Sequence, residues 1–164
     1  MIYNRQKQIR LNLKGLEDFA SELARELKLG RRWFDITFVD DREIQRLNRE
    51  FRHKKKPTDA LSFPWAGDAE SSRVRKVGED CLAGFLGDVI ISAPMARRDA
   101  AEEGMTPDRK LRQLVLHGAL HLVGYDHETD SGEMHALEYE LRCQFAIDTA
   151  ERSRVARRAR PKNH

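Results

Sequence analysis

The chain is predicted to fold as an α+β domain, a small mixed β-sheet packed by helices, and three observations lead there. Strand-like alternation is confined to the part before Ser92, the run Val89-Ile90-Ile91 is apolar without interruption, and the remainder is helical in period. Strands first and helices mostly last disfavour a regular parallel α/β repeat. No internal repeat is visible.

Taken in order, Ile2 to Leu13 alternates loosely, with Ile9, Leu11 and Leu13 on one side, and reads as a strand entering a helix near Gly15. Leu16, Phe19, Ala20, Leu23 and Leu27 recur at helical spacing, and Gly30 is expected to close that helix. Phe34, Ile36 and Phe38 alternate with Asp35 and Thr37, the pattern of a half-buried strand. Asp40 or Asp41 can cap the next helix, which carries Ile44 and Leu47. Between Pro57 and Pro64 only a short extended piece fits, Ala60 to Phe63. Trp65 to Ala83, rich in glycine, serine and charge, reads as a mobile surface loop. Phe85 to Ser92 contains the apolar run and suits a central strand. Pro94 stands in the first turn of a helix ending near Gly104, Thr106 and Pro107 open a long helix, and Ser131 is expected to cap another with Met134, Leu137, Leu141 and Phe145.

The length of 164 residues fits one domain, read as residues 1–150, with a basic tail over 151–164. No run of eighteen or more apolar residues occurs and MIYNRQKQIR lacks a secretory core, so a soluble cytoplasmic protein with no membrane partner is expected. Cys81 and Cys143, far apart and without a C-x-x-C, read as reduced thiols. Net charge is +3, yet the pI of 9.0 reflects two basic clusters. Arg49, Arg52, Lys54, Lys55 and Lys56 form one, and Arg152, Arg154, Arg157, Arg158, Arg160 and Lys162 the other. Both suit phosphates, although the tail reads more readily as a frayed, solvated end.

The chemistry is concentrated in HGALHLVGYDH, His117 to His127, which spaces three histidines as H-x-x-x-H-x-x-G-x-x-H. Residues four apart share a helix face, so His117 and His121 can present imidazoles to one ion. Gly124 can end the helix in a left-handed conformation and let the chain bring up His127. A lone H-x-x-x-H is often two surface histidines. Here Leu111, Leu114, Val115, Leu116, Leu120, Leu122 and Val123 surround the segment, and buried imidazoles without partners cost a few kcal/mol each, on the order that a shared divalent ion would remove. Three imidazoles and no thiolate leave one position of a tetrahedral zinc open, as in catalytic sites. Nickel, copper or iron also suit such ligands. Metallopeptidases share this spacing but carry a glutamate general base after the first histidine, where this chain has Gly118. Asp126 can orient a ligand histidine, or serve as an ordinary turn carboxylate.

Two further segments, LNREFRHKKKPTDALSFP (Leu47 to Pro64) and LGDVIIS (Leu86 to Ser92), precede the histidine motif, and together the three resemble the YbeY family of bacterial endoribonucleases of ribosomal RNA maturation. One departure is Ala60, where that family more often has valine. The resemblance implies a central sheet, one zinc held by His117, His121 and His127, and a cleft lined by the arginine that matches Arg52. It further implies processing of the 3′ end of small-subunit rRNA and a role in ribosome quality control, with ribosomal RNA and the ribosome or a small-subunit precursor as partners.

The residue types agree with phosphodiester hydrolysis. Arg52 offers a planar fork of donors that stays charged, so it can hold the scissile phosphate; a structural ion pair with Asp59 or Asp88 is the competing reading. Zinc can polarise a phosphoryl oxygen or lower the pKa of its water to about 7, which removes the need for a glutamate beside His117. Catalysis is therefore assigned to Arg52 and His117, RNA contacts to Arg49, Lys54, Lys55 and Lys56, and support of the site to Asp126, Asp59 and Asp88. Thr58 and Ser62 read as turn and strand residues, and His53 and His135 as non-ligands. Two other readings stand beside the nuclease: an RNA-binding ribosome-assembly factor with a structural metal, and a peptidase-like hydrolase.

Overall fold

The computed structural model describes residues 1–54, 57–65 and 84–148. Four strands, β1 (Ile2–Asn4), β2 (Trp33–Val39), β3 (Ala60–Pro64) and β4 (Phe85–Ser92), form one sheet in the order β1-β2-β4-β3. β1 and β4 flank β2 in parallel, and β3 runs antiparallel to β4, so the predicted mixed sheet is present with the Val89–Ile91 run in an interior strand. Five helices accompany it among the described residues: α1 (Leu13–Glu26), α2 (Asp41–Arg52), α3 (Ala93–Glu103), α4 (Pro107–Leu122) and α5 (Glu133–Gln144).

Strand alternation divides the core. Phe34, Ile36, Phe38, Val89 and Ile91 pack with Leu16, Phe19 and Leu23 of α1, with α4, and with Met134 and Leu141 of α5. On the other face Val39 and Leu61 enclose Ile44 of α2, with Leu47, Phe63 and Ile90 at the margin. Each fully buried aliphatic side chain contributes about 1.5–3 kcal/mol, so docking of α4, with Val115, Leu116 and Leu120 fully buried, holds the later helices to the sheet.

Several boundaries depart from the sequence reading. β1 is three residues long, because the buried Gln6 diverts the chain into a turn. Its side-chain nitrogen donates to Ile9 O (2.8 Å), and its oxygen accepts from the N–H groups of Gln8 (2.9 Å) and Ile9 (2.8 Å), which takes those groups away from a sheet ladder. α1 starts at Leu13 under an Asn12 cap whose side chain accepts from Gly15 N. It ends before Gly30, with Lys28 already left-handed at φ 54°. Ser131 does not cap α5. The cap position is Gly132 at φ 104°, and Asp130 binds the N–H groups of Gly132 and Met134 with its two oxygens, a reach serine lacks. Asp40, Ser92 and Thr106 do cap the helices that follow them. Lys55, Lys56, all of the expected Trp65 to Ala83 loop except Trp65, and the expected 151–164 tail lie outside the described residues. No helix of the described residues is long and apolar enough to cross a membrane.

Candidate metal centre and cleft

Helix α4 carries the first two histidines of the motif on its last two turns. His117 and His121 are half-buried, and their rings meet edge to face with centroids 4.7 Å apart. The helix stops at Val123, Gly124 adopts φ 102° with open space where a Cβ would stand, and Tyr125 N donates back to Leu120 O (3.1 Å). This reversal returns His127, which is exposed, to ring-centroid distances of 5.3 Å from His121 and 5.8 Å from His117. One ligand-capable atom from each of the three lies within 4.8 Å of the others.

The proton positions on two rings are dictated by their surroundings. Nδ1 of His121 is 3.0 Å from Tyr125 O, which can only accept, so that nitrogen carries the proton. Nδ1 of His117 is 3.0 Å from Glu138 Oε2. Burial works to raise the Glu138 pKa, but the hydrogen bond and charge of His117, with Arg142 and His135 nearby, bring it below the ordinary value, so this carboxylate is an acceptor too. Both Nε2 atoms are thereby left bare, and they face each other across 3.1 Å. Two lone pairs so placed repel unless a cation stands between them. A tetrahedral ion with imidazole arms of 2.0–2.1 Å spaces its ligand nitrogens by about 3.3 Å, so the donor set fits a divalent metal. Burial, then the neighbouring His117, lowers the His121 pKa and keeps that ring in its neutral, ligating form.

The motif faces a cleft of about 580 Å³ whose lining includes Asn48, Arg52, Lys54, Thr58, Ser62, Pro64, the three histidines and Glu128. Arg52 ends α2, where His53 turns left-handed at φ 54° and donates to Asn48 O. The Arg52 Nη2 donates to Ser62 O on β3 (2.9 Å), and the guanidinium has no carboxylate partner among the described residues. The expected alternative, an ion pair with Asp59 or Asp88, is therefore absent. A neutral carbonyl orients the arginine, and among the described residues no carboxylate neutralises it.

The other candidates separate. Lys54 lines the cleft, whereas Arg49 is exposed on α2 and does not. Asp126 serves its own turn, accepting from Glu128 N (3.0 Å) and Thr129 Oγ1 (3.2 Å), with no hydrogen bond to a histidine; those donors, the Glu128 N–H first, lower its pKa. Asp88 stands on the opposite face of the sheet from Val89 and α4, beside Asp35. Burial and then Asp35 raise its pKa. Among the described residues Asp59 is bonded through its backbone, Ser92 N donating to Asp59 O (2.8 Å). Hydrogen bonds to the histidines thus come from Glu138 and the Tyr125 carbonyl, while Asp126 acts on His121 and His127 through its charge and Asp59 and Asp88 make no hydrogen bond to them. Glu138 escaped the sequence reading because it lies 21 residues beyond His117. Its signal was a carboxylate between Met134 and Leu141 on the apolar face of α5.

Ser62 was likewise underrated. Its carbonyl holds Arg52 and its buried hydroxyl donates to Gly118 O (3.3 Å), joining the two walls of the cleft through one residue. At Gly118 an added Cβ would stand 2.5 Å from Cγ1 and 2.9 Å from Cγ2 of Val89, so the helix touches the sheet where a peptidase carries its glutamate. No side chain fits there.

Residues 1–146 match the family described as Endoribonuclease YbeY. A relative of that description from Solibacter usitatus is 39% identical over 145 residues, 88% of this chain and 87% of the relative. One from Syntrophotalea carbinolica is 39% identical, covering 85% and 91%. A solution structure from Thermotoga maritima superposes with a TM-score of 0.56 at 25% identity over the whole of both chains.

Proposed function

The chain belongs to the YbeY endoribonuclease family, and on that premise we propose that it is a zinc-dependent, single-strand-preferring endoribonuclease of ribosomal RNA maturation. Its substrate is the 3′ end of small-subunit rRNA, met on the ribosome or a small-subunit precursor in the cytoplasm, and ribosome quality control is part of the same work. The observation that carries this reading is the cleft itself, which sets the Arg52 guanidinium, without a carboxylate partner among the described residues, on one wall and three convergent imidazoles on the other.

Each residue has a task that follows from its contacts. Arg52 spends one N–H on Ser62 O, and the rest of its fork suits a phosphate oxygen pair whose charge grows in the transition state. Lys54 adds positive charge along the cleft. His117, His121 and His127 would hold the zinc, with Glu138 and Tyr125 O fixing two of the rings. A divalent ion bound there supplies Lewis acidity to the phosphoryl group and makes hydroxide accessible near neutral pH. Ser62 keeps the two walls in register.

Incubating the metal-loaded protein with rRNA precursor tests the proposal. Cleavage is expected from the wild type and a strong loss from Arg52→Ala and His117→Ala; undiminished cleavage by both variants overturns it. Folded holo protein that binds RNA without cutting it would instead support an assembly factor with a structural metal.

A further inference from the structure

Beside the cleft runs a row of aromatic side chains that the hydrolytic site does not use. Phe51 of α2 packs against Phe63 of β3 with centroids 5.5 Å apart, Trp65 against Phe85 at 5.9 Å, and Phe85 against Trp33 at 5.7 Å. Trp65 follows β3 directly, its N–H donating to Leu86 O (2.9 Å), so the Phe51–Phe63 pair is linked to the Trp65–Phe85–Trp33 group through Pro64 at the end of the strand. Two members are open to solvent, Phe51 at 59% and Trp65 at 51% exposure.

Position and charge indicate the partner. Phe51 is the chain neighbour of Arg52, Phe63 lies between Ser62 and Pro64, and Trp65 follows Pro64, and those three neighbours line the cleft. Along this same end of α2 stand the cations Arg49, Arg52 and Lys54. Aromatic rings interleaved with cations beside an open groove suit a single strand of nucleic acid, whose phosphates follow the charge while its bases stack on the rings. A duplex has no unstacked bases to offer.

We propose that Phe51 and Trp65, backed by Phe63 and Phe85, form a base-stacking platform that seats unpaired nucleotides next to the scissile phosphodiester. The inference rests on the endoribonuclease reading and assigns it a source of single-strand preference, with little dependence on base identity because every base has a π-face.

The test uses the full-length, metal-loaded protein, single-stranded 2′-O-methyl oligonucleotides that resist cleavage, and matched oligonucleotides with one abasic position. Phe51→Ala and Trp65→Ala should each weaken binding by about 5- to 100-fold, the range that stacking of one base supports. In cleavage of rRNA precursor the loss should fall chiefly on KM. Phe51→Tyr and Trp65→Phe, which keep a π-face, should restore affinity, which loss of folding or simple truncation would not produce. Abasic substitution should weaken the wild type and leave Phe51→Ala/Trp65→Ala nearly indifferent. RNA affinity unchanged in the alanine variants overturns the platform, and a dimer that dissociates in the same variants would reassign the row to contact between copies of this chain. The two readings fail separately: loaded wild-type protein that binds but does not cut removes the nuclease, while the binding series still decides the platform.

Discussion

Gly118 and Val89 are in direct helix-to-strand contact, and a Cβ at position 118 would overlap Val89 Cγ1 at 2.5 Å. This contact lets α4 lie close to β4, and it excludes the glutamate that a peptidase of the same histidine spacing requires.

Gly118→Ala should therefore destabilise the protein by about 1–3 kcal/mol, the usual range for overpacking a filled core. Val89→Ala makes room for the added methyl, so the double variant should lose less than the sum of the singles, by about 0.5 kcal/mol or more. Urea titration of the four proteins measures this, and strict additivity would show that the contact does not limit the packing. Gly118→Glu should not gain peptide hydrolysis.

Glu138→Gln keeps the shape of the side chain but removes the charge that fixes His117. Metal affinity should fall about 10- to 100-fold, as it does when such supporting carboxylates are lost. Calorimetric titration of zinc into the apo protein reads it directly; equal affinity would mean that His117 needs no orientation.

Arg52→Ala should lower kcat/KM by about 100-fold or more, and Arg52→Lys should recover little, because a point charge cannot offer two parallel donors. The residue is exposed and, among the described residues, its side chain is held by one hydrogen bond, to Ser62 O, so thermal unfolding should barely move. Full activity in the lysine variant would reduce the role of Arg52 to charge alone.

Asp88 sets a pH dependence of stability. Burial and Asp35 raise its folded pKa above the unfolded value, so the protonated carboxyl is the form the fold favours. Below the unfolded pKa that preference has no cost. As pH rises through the folded pKa the group ionises at the expense of stability. Asp88→Asn should thus match the wild type in acid and exceed it at neutral pH, as followed by the denaturation midpoint from pH 3 to 8; a variant less stable at neutral pH would contradict this sign.

Much of the protein was determined by the sequence alone, for one physical reason: short-range features repeat with the geometry of the backbone. The alternation of Phe34, Ile36 and Phe38, the apolar run at Val89–Ile91 and the helical spacing of Leu16, Phe19 and Leu23 produced the mixed sheet and its helices. The metal triad was legible because His117, His121, Gly124 and His127 lie within one helix end and one turn. The same locality left out what one distant side chain decides: Gln6 cut β1 short by satisfying its neighbours, and Asp130 took the cap expected of Ser131.

Only the tertiary structure decided which groups meet across the sheet. It put Glu138 of α5 on His117, Ser62 O on Arg52 and Val89 against Gly118, and it turned Asp88 to the far face. None of these follows from a period or a motif, since each depends on strand order and on where α4 docks. The three histidines could be read along the chain, whereas the cleft that opposes them to Arg52 exists because β3 occupies the edge of the sheet between α2 and α4.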